Sequence, residues 1–151
     1  MTDPIFRRAT KADVPAIIGL LLDDYLGAKR EGNNATEATY AHAFDAIDKD
    51  PNHFLAVMEL DGRVVGTLQL TFLPGLSRRG QLRGQVEAVR IAGDLRGKGY
   101  GRSLLEWAIG ECRRRGCGIV QLTTDASRKD AQRFYESLGF TPSHVGMKLP
   151  L

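Results

Sequence analysis

The 151-residue sequence predicts a mixed α/β fold, with helices on both faces of one sheet. Three observations support this: apolar residues recur at helical spacing near the N-terminus, two strand-like runs flank an Asp-Gly pair, and an amphipathic helix follows a glycine-rich turn. The segments read β-α-α-β-β-β-α-β-α-β, which is typical of helices packed on a mixed sheet. The length suits one core, so residues 1–151 are expected to form a single domain.

The first elements are a short strand and a long helix. Ile5–Ala9 reads as the strand. Thr10 and Asp13 are spaced to cap the helix that follows, because a hydroxyl and a carboxylate at this spacing satisfy the first free amides. Apolar residues at steps of three and four extend that helix to about Ala28. Residues 31–34, Glu-Gly-Asn-Asn, are predicted to end it.

A second helix and a hairpin are predicted next. The helix is expected over Glu37–Lys49, where Asp50-Pro51 ends it. His53–Leu60 and Arg63–Phe72 are strand-like runs on either side of Asp61-Gly62. Asp-Gly between apolar runs favours a tight hairpin, since both turn positions need positive φ.

The C-terminal half is predicted to alternate strands and helices. Gln85–Ile91 reads as a strand, and Tyr100–Arg115 as an amphipathic helix. Ile119–Thr124 is rich in β-forming residues. A short helix is expected over Lys129–Leu138, and the residues from Phe140 onward are predicted to form a last strand.

Composition and charge exclude several classes of protein. No apolar run approaches the roughly 20 residues that span a bilayer, and the N-terminus lacks the pattern of a signal peptide, so we expect a cytoplasmic protein without a membrane partner. The net charge is +3, but the basic residues form no long tract, so nucleic acid is not the expected partner. The three histidines share no ligand spacing with Cys112 and Cys117, so no metal site is predicted.

The chemistry centres on the run Arg96-Gly97-Lys98-Gly99-Tyr100-Gly101-Arg102-Ser103, which follows a strand and opens a helix. Alternating glycines allow a tight turn, and free amides at a helix start attract anions. A P-loop is excluded because Ala92 stands where its first glycine should be. A dinucleotide fingerprint is excluded because the third glycine comes one residue early.

The strand before this turn is irregular. Val86 and Ala88 share one face of a regular strand, whereas Val89 and Ile91 share the other. One extra residue, a β-bulge, would put the apolar residues back in phase. A strand buried on both faces is the alternative. Glu87 is the only carboxylate of the strand, and it is either a general base or a surface residue paired with an arginine.

The segment Asp125–Phe140, which contains the predicted last helix, ends in Phe134-Tyr135-Glu136-Ser137-Leu138-Gly139-Phe140. This string and the Arg-x-x-Gly-x-Gly turn resemble the signatures of the GNAT superfamily of N-acetyltransferases, and the resemblance covers essentially the whole chain. It implies acetyl-CoA as the acetyl donor and a sheet splayed between its fourth and fifth strands. It also implies that the backbone of Arg96–Ser103 holds the CoA pyrophosphate.

Further site residues follow from the same resemblance. The backbone of Val89, Arg90 and Ile91 is expected to pair with the pantetheine arm and to polarise the thioester carbonyl. Tyr135 is expected to protonate the leaving thiolate, with a packing tyrosine as the alternative. Arg128 stands where many members of the superfamily carry an asparagine, and the guanidinium of either Arg128 or Arg133 is expected to meet a CoA phosphate instead.

The predicted function is direct acetyl transfer to a primary amine of a small or amino-acid-like molecule. A non-catalytic acyl-CoA-binding module and a peptide or protein N-acetyltransferase are the alternatives. The acceptor would be selected by segments without a recognisable motif, Tyr25–Asn34, Tyr40–Phe44 and Leu73–Arg83. Edge strands of such a sheet can pair between copies, so a homodimer is also compatible with the sequence.

Overall fold

Five strands form one sheet in the order β1-β2-β3-β4-β5. The computed structural model describes residues 2–32 and 37–151, so Asn33 and Asn34 of the predicted break lie outside the described residues. The first four strands are antiparallel neighbours, and β5 runs parallel to β4. The strands are β1 Ile5–Arg8, β2 His53–Leu60, β3 Arg63–Leu73, β4 Arg83–Ile91 and β5 Ile119–Leu122.

Helices cover both faces of the sheet, as predicted. Helices α1 and α3 contact one face, through β3 and β2, and α5 contacts the other, through β3 and β4. Two 3₁₀ turns, Lys11–Asp13 and Gly93–Leu95, precede α1 and the glycine-rich turn. The helices are α1 Val14–Leu22, α2 Tyr25–Glu31, α3 Glu37–Lys49, α4 Ser77–Gly80, α5 Tyr100–Arg114 and α6 Lys129–Ser137.

The central hairpin follows its sequence signals. Asp61 and Gly62 adopt φ values of 51° and 78°, the left-handed geometry that a two-residue hairpin turn requires. The two predicted strands agree with β2 and β3 to within one residue. Helix α3 begins and ends at the predicted residues.

The long helix predicted to reach Ala28 is wrong, because it is interrupted and forms α1 and α2. Asp24 is extended at φ −151°, and its carboxylate accepts a hydrogen bond from the amide of Gly27, which caps α2. Asp23 accepts from the amide of Gly93 at 3.1 Å, across the sheet edge. The two carboxylates at the interruption therefore satisfy the amide of Gly27 in α2 and the amide of Gly93 after β4, a use that helical periodicity does not reveal.

The last strand, predicted from Phe140 onward, is also wrong. Residues 140–151 form no strand ladder in the described part of the chain. Val145, Met147 and Leu149 alternate as in a strand, yet they are 88%, 90% and 84% exposed. Alternation predicts which side chains share a face, but a strand forms only where a neighbouring strand accepts its hydrogen bonds.

Candidate active site

A gap opens between β4 and β5. The parallel pairing of these strands ends at Val86 and Leu122, whereas β4 continues to Ile91 while paired with β3. Within the described residues, the second half of β4 has no strand neighbour on the β5 side. The predicted splay between the fourth and fifth strands is therefore present, and it leaves main-chain groups of β4 available to a ligand.

A β-bulge lies beside this gap, as predicted. Thr67 pairs with Arg90 and Gln69 pairs with Glu87, so two steps along β3 oppose three along β4. Ala88 adopts a φ of 52°, a left-handed conformation that is rare for a residue with a side chain. As a consequence, Val86, Val89 and Ile91 all pack with the cluster on the α5 face. Glu87 and Ala88 are exposed, which excludes a strand buried on both faces.

The glycine-rich turn has the geometry of an anion cradle. Gly97 and Gly99 have φ values of 74° and 89°, and a Cβ at either would meet no atom within 4 Å. There is room for a side chain at both positions, so glycine is needed there for the positive φ and not for lack of space. The turn leads into the N-terminus of the 15-residue α5, whose first amides have no acceptor inside the helix. The chain thus fits an anionic group such as a pyrophosphate at this point.

Two cations of the turn serve to hold it in place, a role that the sequence did not indicate. The guanidinium of Arg96 donates to the main-chain oxygens of Ile91 at 3.1 Å and Asp23 at 2.7 Å. The guanidinium of Arg102 donates to the hydroxyl of Ser137 at 3.0 Å. The turn is thereby tied to the C-terminal end of α1 and to α6.

The remaining turn residues pack or cap. Tyr100 packs partly buried against the main core. The amide of Ser103 donates to the carbonyl of Gly99 at 3.1 Å, and its hydroxyl lies 3.3 Å from the same oxygen. Gly101 lies against Phe134, whose ring is 3.5 Å from where a Cβ would be. Lys98 is exposed on the turn.

Glu87 lies at the bulge on the exposed surface of β4. It is the register partner of Gln69, on the sheet face that α1 and α3 cover. It forms no ion pair within residues 2–32 and 37–151, so the predicted alternative of a glutamate paired with an arginine is not observed there.

Tyr135 lies on α6, where its ring contacts Phe134 and Phe140. Burial raises the pKa of its phenol, although the positive charges of Arg128 and Arg90 act in the opposite direction. The phenol is therefore protonated at neutral pH and able to donate a proton.

From the sequence, a role was expected only for the backbone of Arg90, and nothing pointed to its side chain. It is only 9% exposed, and its Nε lies 3.2 Å from Oδ2 of Asp24 in the loop between α1 and α2. Burial acts to raise the pKa of Asp24, but the Gly27 amide and the charges of Arg90 and Arg128 outweigh it and lower that pKa. The interruption between the first two helices thus delivers a carboxylate to a buried arginine.

The cysteines lie in the packing between helix and sheet. Cys112 is fully buried, and burial raises the pKa of its thiol to about 12. Cys117 is half-buried, and burial raises its thiol pKa as well. Neither thiol is therefore an activated nucleophile. Among the described residues, no group of three or more histidine, cysteine or acidic side chains could hold a metal ion.

The predicted acceptor segments divide between two ends of the sheet. Tyr40 on α3 donates a hydrogen bond to Glu31 on α2. An apolar cavity of about 120 Å³ lies between α1, α3 and the sheet, and Ala88 of the bulge lines it. The loop from Leu73 to Arg83 lies instead where β4 begins, seven residues and roughly 23 Å of extended chain from Arg90.

No helix in the described chain is long and apolar enough to cross a bilayer.

A splayed sheet, a bulge beside the splay and a glycine-rich turn at a helix start together define the class of acyl-CoA-dependent transferases. In agreement, the model of the Acetyltransferase (GNAT) family matches residues 15–140. The chain belongs to this family, and is accordingly an acyltransferase.

Individual relatives resemble the chain over different lengths. The aminoalkylphosphonate N-acetyltransferase of Salmonella typhimurium is 28% identical over 91% of this chain and 85% of its own length. The glucosamine 6-phosphate N-acetyltransferase of Trypanosoma brucei brucei is 37% identical over 60% of this chain and 59% of its own. A crystal structure described as a transcriptional regulator from Bacillus halodurans C-125 has a TM-score of 0.93 and 43% identity, covering 99% of this chain and 100% of that one.

Proposed function

We propose that this protein transfers an acetyl group from acetyl-CoA directly to the primary amine of a small molecule in the cytoplasm. The observation that carries the proposal is the half of β4 that has no strand neighbour on the β5 side, with its bulge, next to the glycine-rich turn before α5. The thioester of acetyl-CoA supplies an activated acetyl group. The residues of the chain bind it, orient it and move protons.

The turn is the proposed pyrophosphate site. The amides of Arg96–Ser103 would donate to the phosphate oxygens, and the dipole of α5 would add a favourable field. Lys98 adds a formal charge from the exposed side of the turn. Arg96 and Arg102 act through the hydrogen bonds that fix the turn.

The β4 bulge is the proposed reaction centre. The main-chain amides of Val89–Ile91 would donate hydrogen bonds to the carbonyl oxygen of the thioester, where negative charge develops during transfer. The amine nitrogen bonds to the acetyl carbon, and the carbon–sulfur bond breaks. Glu87 accepts the proton that the amine loses, directly or through a water molecule. Tyr135 gives its phenolic proton to the departing thiolate and recovers one from solvent.

Direct transfer is favoured over an acetylated enzyme because residues 2–32 and 37–151 offer no activated thiol at this point. The thiol of Cys112 is fully buried in the packing beneath α5, and its pKa of about 12 keeps it protonated. Tyr135 is likewise held as a neutral phenol by burial.

A small acceptor is supported by the relatives. Their names identify an aminoalkylphosphonate and glucosamine 6-phosphate as acceptors, which are small molecules with a primary amine. In this chain, the apolar cavity between α1 and α3 is about 120 Å³ and lies next to the bulge.

We also infer that two copies of the chain associate through the C-terminal tail, residues 141–151. Three apolar side chains of this tail are more than four-fifths exposed at alternate positions. The tail passes the end of β5, where Gly146 lies against Thr123. β5 is an edge strand, so it can accept a strand from a second copy.

The activity is tested by binding and turnover on the same samples. Acetyl-CoA binding is measured by calorimetry on the wild type, on Gly99→Trp, and on Gly116→Trp as a matched control beyond the other end of α5. The two glycines have φ values of 89° and 82°, and a Cβ at either would meet no atom within 4 Å, so backbone strain and open space are alike and the position relative to the turn differs. We expect Gly99→Trp to abolish binding and Gly116→Trp to retain it.

Turnover is followed as thiol release with a panel of primary amines. The panel includes 2-aminoethylphosphonate and glucosamine 6-phosphate. Tyr135→Phe is expected to lower kcat by tenfold or more with little change in acetyl-CoA affinity, because only the proton donor is lost. Binding of acetyl-CoA without release of thiol for any amine would instead identify a non-catalytic module.

A further inference from the structure

Three arginines converge on the α2 side of the β4–β5 gap, and none of them is needed to hold the glycine-rich turn. Arg30 on α2 pairs at 3.8 Å with Asp125, which follows β5. Arg90 pairs with Asp24, the residue that caps α2, and the amide of Arg128 donates to the carbonyl of Asp125 at 2.9 Å. We call these three arginines and two aspartates the arginine cluster.

Arg90 is the buried member of the cluster, and its hydrogen-bonding capacity is not satisfied. Its Nη1 donates to the neighbouring carbonyl of Val89 at 2.9 Å. Its Nε lies 3.2 Å from Asp24 but has no aligned hydrogen bond, although it is buried. Its Nη2 donates no hydrogen bond within the described parts of the chain. A guanidinium buried to this extent normally has its donors filled, and because Nε is buried against Asp24, Nη2 is the donor left for a ligand.

The cluster lies on the acceptor side of the sheet. Arg90 pairs in register with Thr67 and faces the loop between α1 and α2. Its neighbours Val89 and Ile91 point the other way, into the core beneath α5. The glycine-rich turn belongs to α5, so the arginines and the proposed pyrophosphate site approach the gap from opposite faces of the sheet.

The charges of the cluster do not cancel. Three guanidinium groups face two carboxylates, which leaves one positive charge around a partly desolvated site. Burial lowers the pKa of Arg90, and so do the positive charges of Arg128 and Arg30, whereas the carboxylate of Asp24 raises it. An added anion would offset the repulsion among the three guanidinium groups. An arginine nevertheless stays charged at neutral pH.

Together these features carry an inference about the acceptor, which rests on the proposed acetyl transfer. We propose that the acetyl acceptor is an amine with an anionic group, a carboxylate or a phosphonate, and that this anion binds to Arg90 and Arg128 with Arg30 at the rim. Arginine forks match the paired oxygens of both anions. Arg128, which the sequence assigned to the cofactor, thereby becomes an acceptor-binding residue.

The kinetic test compares amines that differ only in the anion. 2-Aminoethylphosphonate, β-alanine and the neutral β-alaninamide are each assayed with acetyl-CoA. We expect a kcat/KM at least tenfold higher for one or both anionic amines than for β-alaninamide, and their ranking distinguishes phosphonate from carboxylate. Arg128→Gln and Arg30→Gln should reduce this anionic preference, by tenfold and by about threefold respectively. Arg114→Gln, an exposed ion-paired arginine at the far end of α5, should leave it unchanged.

A binding test separates this inference from the proposed activity. Methylphosphonate and acetate are titrated against the wild type in the presence of saturating coenzyme A, which fills the pyrophosphate site, at constant ionic strength. We expect one of them to raise the melting temperature of the wild type and to lose that effect in Arg128→Gln. Neutral amines that react as well as anionic ones would overturn the anion site while acetyl transfer stands. Anion binding without turnover of any amine would support the anion site and overturn the proposed activity.

Discussion

The Nη2 of Arg96 donates a hydrogen bond to the main-chain oxygen of Asp23 at 2.7 Å. The first cation of the glycine-rich turn is thus directed toward the end of α1, and it connects the turn to the segment that delivers Asp24 to Arg90. The proposed cofactor side and the proposed acceptor side of the gap are therefore joined by this hydrogen bond.

This link predicts different effects for two neighbouring cations. Arg96→Ala should lower the free energy of unfolding by roughly 1 kcal/mol, because it removes hydrogen bonds that fix the turn. Lys98→Ala should leave stability almost unchanged and raise the Kd of acetyl-CoA about two- to fivefold, the usual size of an exposed charge interaction. Chemical denaturation and calorimetry measure both. Equal stability of the two variants would contradict the anchoring role of Arg96.

The bulge was predictable because it leaves a trace in the side-chain pattern. The apolar phase slips between Ala88 and Val89, and the structure has the extra residue at that point. The hairpin was predictable for a similar reason, since Asp61-Gly62 has a conformational requirement that few other residue pairs meet. Local signals of this kind depend on residues close in sequence.

The arginine cluster was not predictable, because its members come from three separate segments: α2 with its N-cap, β4, and the loop between β5 and α6. Arg90 and Asp24 are brought together only by the interruption between α1 and α2, and periodicity continues through that interruption. The link from Arg102 to Ser137 likewise joins residues 35 positions apart. Polar contacts of this type depend on the packed fold, so a single sequence does not reveal them.

The bulge conformation predicts an unusual response at position 88. Ala88 has a φ of 52°, which costs about 1 kcal/mol for a residue with a Cβ. Ala88→Gly should therefore change stability little, because relief of strain offsets the added chain entropy of glycine. Ala88→Val should cost about 2 kcal/mol or more, since a branched side chain fits this region poorly. Urea denaturation of both variants measures this, and an Ala88→Val variant as stable as the wild type would show that the strand is regular.

A close approach between β4 and α5 predicts a strongly destabilising alanine. A Cβ on Gly84 would lie 2.5 Å from Sγ of Cys112 and 3.4 Å from its Cβ. Gly84→Ala should therefore cost about 1–3 kcal/mol of stability through overpacking. Adding Cys112→Ala removes the clashing sulfur and should recover part of that loss. A double-mutant cycle measures the coupling, and strictly additive effects would contradict the predicted clash.

An ion-pair network near the N-terminus predicts acid sensitivity. Asp13 accepts from both Nη atoms of Arg7, at 2.7 and 3.0 Å, and Arg7 also pairs with Glu59. The hydrogen bonds from Arg7 lower the pKa of Asp13 to about 2, from an ordinary value of 3.8. Because the pKa of Asp13 is lower in the folded protein than in the unfolded chain, the ionised carboxylate stabilises the fold at any pH above the unfolded-state pKa. This stabilisation is lost as the pH falls toward the folded-state pKa.

The expected loss is about 2 kcal/mol between pH 4 and pH 2, at 1.36 kcal/mol for each pKa unit. Thermal denaturation as a function of pH measures it. Asp13→Asn should be less stable at pH 7 and should flatten the profile in this window. Asp61→Asn serves as a control, because Asp61 is exposed in the hairpin turn. An unchanged profile in Asp13→Asn would contradict the assigned pKa.

The exposed tail predicts a change of oligomeric state on truncation. In one chain alone, Val145, Met147 and Leu149 are left in water, and each would gain roughly 1.5–3 kcal/mol from full burial. If the tail pairs with the open edge of β5 in a second copy, the wild type sediments as a dimer. Deletion of residues 144–151 should give a monomer that still binds acetyl-CoA, because the glycine-rich turn lies elsewhere. Ser substitutions at the three apolar positions should act like the deletion, whereas Lys148→Ala should not. A wild type that is monomeric at micromolar concentration would refute this pairing.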